Sequence, residues 1–381
     1  MQEVLAGMHA ALRLSTCIGL LALSLPFAVG AGKAPPPGPR RLENVTAQAR
    51  AEYIRHASVW RPTRIASMDL MQGPQGKGSF SPEQQLTCDY VTPEKPLAGD
   101  TPKFQCALSP DDVVKVKYGK GNGEVYAEVA ASRLLWALGF GAERMYSVQV
   151  TCRNCPIEPW FWSTERKVDL TKFEIASIQR KLEGEEIAVS GQEGWAWPEL
   201  DEVDERVGGA PRAQRDAFKL LAVFLQHSDS KAANQRFLCL ADGVVKDEAG
   251  NEDCTKPFML IHDLGVTFGK ATLMNNTRVD FAAWQSQSVW KDPGQCVGNQ
   301  RKSMTGTLEY PRIGEAGRKF LADLLVQLSD AQIHDMFAAS RIDRTDQKVH
   351  AAGGERRVTV EDWVQLFKKK RDEVANQRCP Q

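Results

Sequence analysis

The sequence predicts an α+β fold in two lobes, a small β-rich one followed by a larger, mainly helical one. Three observations carry that expectation. Short alternating runs separated by turn residues fill 60–118, as strands do. From Pro211 onward, apolar residues recur at helical spacing. The 381 residues are also enough for two cores.

Composition narrows the class. Apolar residues make up 42% of the chain and charged ones 25%, the balance of a soluble globular protein. The 48 basic side chains are matched by 48 acidic ones, so the cationic surplus that neutralises a phosphate backbone is lacking. Nucleic acid is therefore not an expected partner.

The chain begins with a targeting segment at 1–31. Arg13 precedes an apolar run from Leu14 to Val29, and the small residues Ala28, Gly30 and Ala31 offer a cleavage site. The run is short for a membrane span. The expectation is an exported protein (secreted, periplasmic or in a secretory-pathway lumen) with no stable span once the segment is removed. Eight cysteines then remain, and an even count in an exported chain favours disulfides. Their order suggests Cys88 with Cys106, Cys152 with Cys155, Cys239 with Cys254, and Cys296 with Cys379. Residues 32–45, with Pro35-Pro36-Pro37-Gly38-Pro39, read as a linker.

The first lobe is expected over 46–151. Ala47 to Ser58 reads as a short helix, and Arg64–Met71, Leu86–Val91, Phe104–Leu108 and Val113–Tyr118 as strands. The stretch Gly73 to Ser79 has two readings. It is a plain hairpin loop, or Gly76 and Gly78 let backbone N–H groups approach a phosphate. Alternation along Val113–Tyr118 puts Lys115 and Lys117 on one face and Val114 and Val116 on the other. Gly123 to Leu138 reads as a helix closed by Gly139. Glu128 shares its stripe with Ala131, Leu135 and Leu138, where a carboxylate needs a cation. Lys117 supplies one, with Glu124 as the competing partner. Met145–Thr151 is a further strand.

The second lobe is expected over 152–381. Cys152 and Cys155 close a small loop. A tryptophan-containing insert spans 156–210, with Phe173–Leu182 helical. Its Trp160, Trp162, Trp195 and Trp197 fill a core or make a sugar-binding platform. A helix starting at Pro211 carries Phe218, Leu221, Ala222 and Leu225 on one face and runs into His227-Ser228-Asp229-Ser230-Lys231-Ala232-Ala233-Asn234. Arg236–Leu240 and Phe258–Ile261 read as hairpin arms, with Asp263 directly after the second. Helices follow, one opened by a Ser329–Gln332 capping box. In the last, Lys368 to Arg371 are expected in solvent.

Phosphoryl transfer asks a protein for cations on the phosphates, oxygen ligands on a metal, and a carboxylate that orients the acceptor hydroxyl. The order glycine stretch, Lys117, Glu128, Asp229, Asn234, Asp263 offers these parts. His227-x-Asp229-x-Lys231-x-x-Asn234 resembles the catalytic loop of the protein kinase-like superfamily, and Asp263-Leu264-Gly265 is similar to its metal-binding D-F-G. The helix ending at Gly139 resembles that of HipA-type kinases. The strand Ile261-His262-Asp263-Leu264-Gly265 resembles those of phosphoinositide and secretory-pathway kinases. Ser228 stands where protein kinases carry Arg, no A-P-E follows, and Lys117 to Glu128 is a shorter spacing than usual. These departures place the resemblance in an atypical branch.

The resemblance implies ATP as cofactor, with Mg or Mn. It implies that Asp229 orients a hydroxyl on a protein, glycan or lipid acceptor and that Lys231 steadies the transferring phosphate. Gly76, Gly78, Lys117 and Glu128 would bind the nucleotide, and Asn234 and Asp263 the metal. Two other classes are carried alongside. One is a catalytically inactive, kinase-like binding module. The other is a carbohydrate-binding protein, which rests on the tryptophans alone.

Overall fold

The computed structural model describes residues 40–381, apart from 96, 100, 162–169, 247, 249, 270–278, 352 and 381. The stretch 1–31 expected to be a targeting segment, Pro35–Pro39 and Trp162 lie outside the described residues. Residues 40–45, expected as linker, join the packed body. Arg41 bridges to Glu186 and Leu42 is buried.

Helix α1 (Ala47–Arg55) is N-capped by Thr46. The strand expected at Arg64–Met71 is instead a 3₁₀ turn at Ile65–Ser67 followed by irregular chain. The reason is Arg133, whose buried guanidinium accepts the role of a neighbouring strand by donating to the carbonyls of Leu70 and Met71. Strands β1 (Gln84–Val91), β2 (Lys103–Ser109), β3 (Asp112–Tyr118), β4 (Arg144–Arg153) and β5 (Thr171–Arg180) then form a closed barrel in the order β1-β2-β3-β5-β4. Neighbours are antiparallel except β1 and β4, which run parallel with Cys88 opposite Cys152. Phe104, Cys106, Val114, Val116, Tyr146, Ala176 and Ile178 fill the barrel.

Strand β5 replaces the helix expected at Phe173–Leu182. Its pairing with β4 shifts register between Val148 and Val150, so an extra residue of β5 is accommodated there. The bulge puts Phe173, Ala176 and Ile178 on one side, three and then two residues apart, which breaks the strict alternation expected of a strand. The β-rich part therefore extends to Arg180, and residues 171–180 of the stretch expected as an insert form its fifth strand.

Helix α2 (Glu124–Leu138) lies between β3 and β4 in the chain and is buried along nearly its whole length. Gly139 ends it in the left-handed region, at φ 84°. Helix α3 (Arg212–Leu225) starts after Pro211, as expected. A second sheet combines β6 (Gly184–Glu186), β7 (Gln235–Leu240) and β10 (Pro257–Ile261) in the order β10-β7-β6. A small hairpin of β8 (Val244–Lys246) and β9 (Glu252–Cys254) connects β7 to β10.

The remaining chain is mainly helical: α4 (Phe281–Ser286), a strand pair β11 (Trp290–Asp292) and β12 (Val297–Gly298), α5 (Glu315–Leu325), α6 (Asp330–Ser340), a hairpin β13 (Lys348–Ala351) and β14 (Gly354–Arg357), and α7 (Val360–Ala375). The Ser329–Gln332 capping box opens α6. Phe224, Phe268, Trp284, Phe337, Trp363 and Phe367 pack ring against ring in this part. The basic run of α7 is not wholly in solvent, because Lys370 turns inward and is 2% exposed. All four disulfides pair as expected. Among the described residues, no helix is long and apolar enough to cross a membrane.

Candidate active site

Alternation along β3 sends Val114 and Val116 into the barrel and leaves Lys115 and Lys117 on the opposite face. Glu124 and Glu128, one turn apart on α2, meet Lys117 there. Its Nζ donates to Glu124 Oε2 and Glu128 Oε1, each at 2.5 Å. A third carboxylate, Asp263 Oδ2, stands 3.6 Å from the same nitrogen. Both glutamates weighed in the sequence thus bind the lysine, and of the two lysines Lys117 is the ion-paired one. Burial alone would depress its pKa. The charges of Asp263, Glu128 and Glu124 outweigh burial and hold the ammonium well above its usual value. Burial pushes Glu128 up. Asp263 is held well below its usual value because Lys117 and Lys115 overcome its burial.

The His227–Asn234 stretch follows Gln226, which ends α3 in the left-handed region. His227 is fully buried, and burial lowers its imidazole to about 4, so it is neutral and braces the loop. The Asp229 carboxylate accepts from Lys231 Nζ at 3.1 Å and from Asn234 Nδ2 at 2.8 Å. The carbonyl of Asn234 accepts from the backbone N–H groups of His262 and Asp263, at 2.8 and 3.1 Å. The two motifs, far apart in sequence, are therefore joined along neighbouring strands β7 and β10. Asp263 Oδ1 accepts from the N–H of Gly265 at 3.0 Å. A Cβ on Gly265 would come within 2.6 Å of the Glu124 side chain, so only glycine lets α2 sit this close.

Sequence reasoning missed two supports of the site. Residues 303–308 brace the loop from behind: Thr307 Oγ1 donates to the Ser230 carbonyl at 2.8 Å, and the Ser303 N–H to that of Ser228 at 3.1 Å. The connection between β1 and β2 reaches Glu124 from the other side, where Thr101 Oγ1 donates to Glu124 Oε2 at 2.9 Å. These stretches carry no motif; only the pairing of β1 with β2 and the path back from α4 bring them in.

Gly76 and Gly78 are not brought to this cluster. The Gly78 carbonyl accepts from Arg180 Nε at 2.9 Å, and neighbouring Gly73 packs against the Arg133 guanidinium. Trp195 and Trp197 are fully buried and pack edge to face, 5.1 Å apart, against Phe218. These two fill a core, while Trp160 is half-buried and Trp162 lies outside the described residues.

Beside Asn234 and Asp263 opens a cavity of about 220 Å³, lined by Lys181, Glu186, Ala233, Arg236, Phe237 and His262, among others. His262 Nδ1 lies 3.2 Å from Glu143 Oε1, which also takes the Arg236 guanidinium. For a metal, the ligand atoms of Glu124, Glu128 and Asp263 lie within 4.8 Å of one another, and Glu128 Oε2 is buried without a hydrogen-bond partner. Asn234 turns its amide nitrogen to Asp229 and so offers its oxygen. Carboxylate oxygens of this kind are what a hard divalent cation takes, and the Lys117 ammonium already stands among them.

No family model matches the chain, and no curated protein matches it. Among solved structures it is similar to the crystal structure of a Helicobacter pylori proinflammatory kinase, CtkA. The identity is 13% and the TM-score 0.39, over 78% of this chain and 95% of that one.

Proposed function

We propose that this chain is an atypical kinase-like phosphotransferase that moves the γ-phosphate of ATP to a hydroxyl of a protein, glycan or lipid. The observation that carries the reading is the junction of two ion clusters through Asn234. Lys117 with Glu124, Glu128 and Asp263 lies on one side of it, and Asp229 with Lys231 on the other. Phosphoryl transfer needs these charges in one place.

On this reading, the barrel with α2 is the smaller lobe, the helical part the larger, and the nucleotide lies in the cleft beside the 220 Å³ cavity. Lys117 holds phosphate oxygens, with Glu128 and Glu124 fixing its position. Asn234 and Asp263 would hold Mg²⁺ or Mn²⁺, which offsets phosphate charge. Asp229 accepts the proton of the acceptor hydroxyl as its oxygen bonds to the γ-phosphorus and the β–γ bridging bond breaks. Lys231, already against Asp229, steadies the group in flight. The four disulfides and the N-terminal targeting segment support a setting in an exported compartment, such as a secretory lumen.

A non-catalytic binding module is the second reading. One observation favours it: the Gly78 carbonyl, on the stretch expected to cradle phosphates, already accepts from Arg180 Nε. Thermal shift with ATP and Mg²⁺ or Mn²⁺ separates the readings. Wild type should be stabilised and Asp263→Ala should not. Asp229→Ala should keep that stabilisation and lose transfer of labelled γ-phosphate to hydroxyl acceptors. Stabilisation of wild type without turnover supports the binding module, and no nucleotide response in any variant rejects both.

A further inference from the structure

The cleft-facing side of the barrel carries more charge than Lys117 alone. Register sets which residues share that face. Lys103 pairs with Lys117 and Gln105 with Lys115 between β2 and β3. Lys117 pairs with Ser177 between β3 and β5, so the same register continued places Lys115 beside Gln179. Lys181 follows Gln179 by two residues and lines the cavity. The face away from the barrel core is thus Lys103, Gln105, Lys115, Lys117, Ser177, Gln179 and, just past the strand, Lys181. It is polar throughout, whereas the residues between them, Phe104, Val116 and Ile178, fill the barrel.

These lysines are not equivalent. Lys117 is surrounded by three carboxylates, and Lys103 donates to the Ala98 carbonyl at 2.6 Å. Lys115 and Lys181 have no ion pair or hydrogen bond among the described residues. Lys115 is half-buried and Lys181 solvent-accessible at the cavity wall. Ser177 Oγ and Gln105 Oε1 are buried on the same face without partners. Unpartnered polar atoms and two free ammonium groups suit neither an apolar ring nor an empty wall. They suit an oxyanion with several acceptor oxygens, since each ammonium offers three donors.

We propose that the sheet face between Lys115 and Lys181 is an anion subsite that takes a phosphate group. Its phosphate comes from the nucleotide's own chain, laid toward the cavity, or from a second phosphorylated molecule. Burial lowers both lysines' pKa values, with Lys117 adding to it at Lys115 and Arg236 at Lys181, while Asp263 and Glu186 respectively pull the other way. The proposal rests on the kinase-like reading only for the nucleotide as one source.

The test is calorimetric binding of inorganic tripolyphosphate, ATP and adenosine, without metal, to the whole chain. Wild type should bind tripolyphosphate. Lys181→Gln and Lys115→Gln should each weaken it about tenfold or more, the scale of one charge-assisted hydrogen bond. Adenosine binding should not respond. Lys181 is exposed, so its replacement leaves the fold intact, and an unchanged melting temperature verifies this. If ATP competes with tripolyphosphate and adenosine does not, the subsite holds the nucleotide's chain. If ATP and tripolyphosphate bind together, it holds a separate phosphate. Wild-type affinity for tripolyphosphate in Lys181→Gln, or no binding by wild type, overturns the proposal. The assay reads no transfer, so a chain that fails to phosphorylate can still pass it.

Discussion

Lys117 and Lys370 are buried to nearly the same degree, 1% and 2% exposed, yet their electrostatics are opposite. Lys117 has three carboxylates around it and is held protonated. Lys370 has the Gln287 carbonyl and the face of Trp284, 5.6 Å from the ring centre, and burial lowers it to about 8 against the opposing charge of Glu373. A lysine whose folded pKa is lowered costs stability wherever it must stay protonated in the folded chain. The cost is complete below pH 8 and disappears as pH rises toward 10.5. The shift corresponds to roughly 3 kcal/mol. Lys370→Met removes that cost, while leaving the Gln287 carbonyl unpaired takes back about 1 kcal/mol or more. Urea unfolding should find Lys370→Met more stable than wild type by up to about 2 kcal/mol at pH 7. The advantage should shrink toward pH 10. An advantage that is constant with pH would mean that packing, not charge, is responsible. The sequence showed Lys370 only as part of a basic run; that one of its members points inward depends on the phase of α7 against Trp284, which no local pattern reveals.

The same limit appears among the secondary-structure elements. Strands β1 to β4 were legible because each alternates against one core, and α2 and α3 because their ends carry Gly139 and Pro211. β5 was not, because its bulge spaces Phe173, Ala176 and Ile178 three and then two residues apart and so breaks the period of two. In the site, alternation on β3 and the helical period of α2 bring Lys117, Glu124 and Glu128 together, and Asp263 joins them from the end of β10. Asp229 and Asn234 come from an irregular stretch that only its motif marked. Gly139 shows how tightly an element end can be set. It has φ 84°, and a Cβ there would come within 2.0 Å of the Arg61 carbonyl oxygen. Backbone strain of about 1 kcal/mol would add to that clash. Gly139→Ala should therefore lower stability by at least about 2 kcal/mol, enough to reduce the melting temperature by several degrees. Because α2 carries Glu124 and Glu128, the same variant should weaken ATP-dependent thermal stabilisation. A melting temperature within a degree of wild type would show that the turn relaxes freely.

Across the whole molecule, the four disulfides divide into two kinds. Three are local, with separations of 18, 3 and 15 residues, and each joins strands or a loop that are already neighbours. The fourth, Cys296–Cys379, spans 83 residues and ties the C-terminal tail after α7 to the loop before β12. Sequential pairing was readable from cysteine order alone, but the difference in consequence comes from loop length. Cross-linking restricts the unfolded chain more as the closed loop grows, by about 4–5 kcal/mol for the longest loop here and about 1.5–2 kcal/mol for the shortest. Cys152, Cys155 and Cys296 are fully buried and Cys379 is half-buried, so replacing the short-loop pair by alanine removes at least as much sulfur packing. The Cys296→Ala/Cys379→Ala double variant should then lose about 3 kcal/mol more in denaturant unfolding than Cys152→Ala/Cys155→Ala. The tail is also held by the Cys379 N–H on Glu315 Oε2 at 2.9 Å and by Arg318 on the Val374 carbonyl at 3.0 Å. If these contacts suffice without the cross-link, the two double variants will unfold at the same midpoint, and loop entropy is not what the long disulfide contributes. If the midpoints separate as expected, wild type treated with a thiol reductant should fall to or below the midpoint of the long-loop variant, which ties this protein's stability to an oxidising compartment.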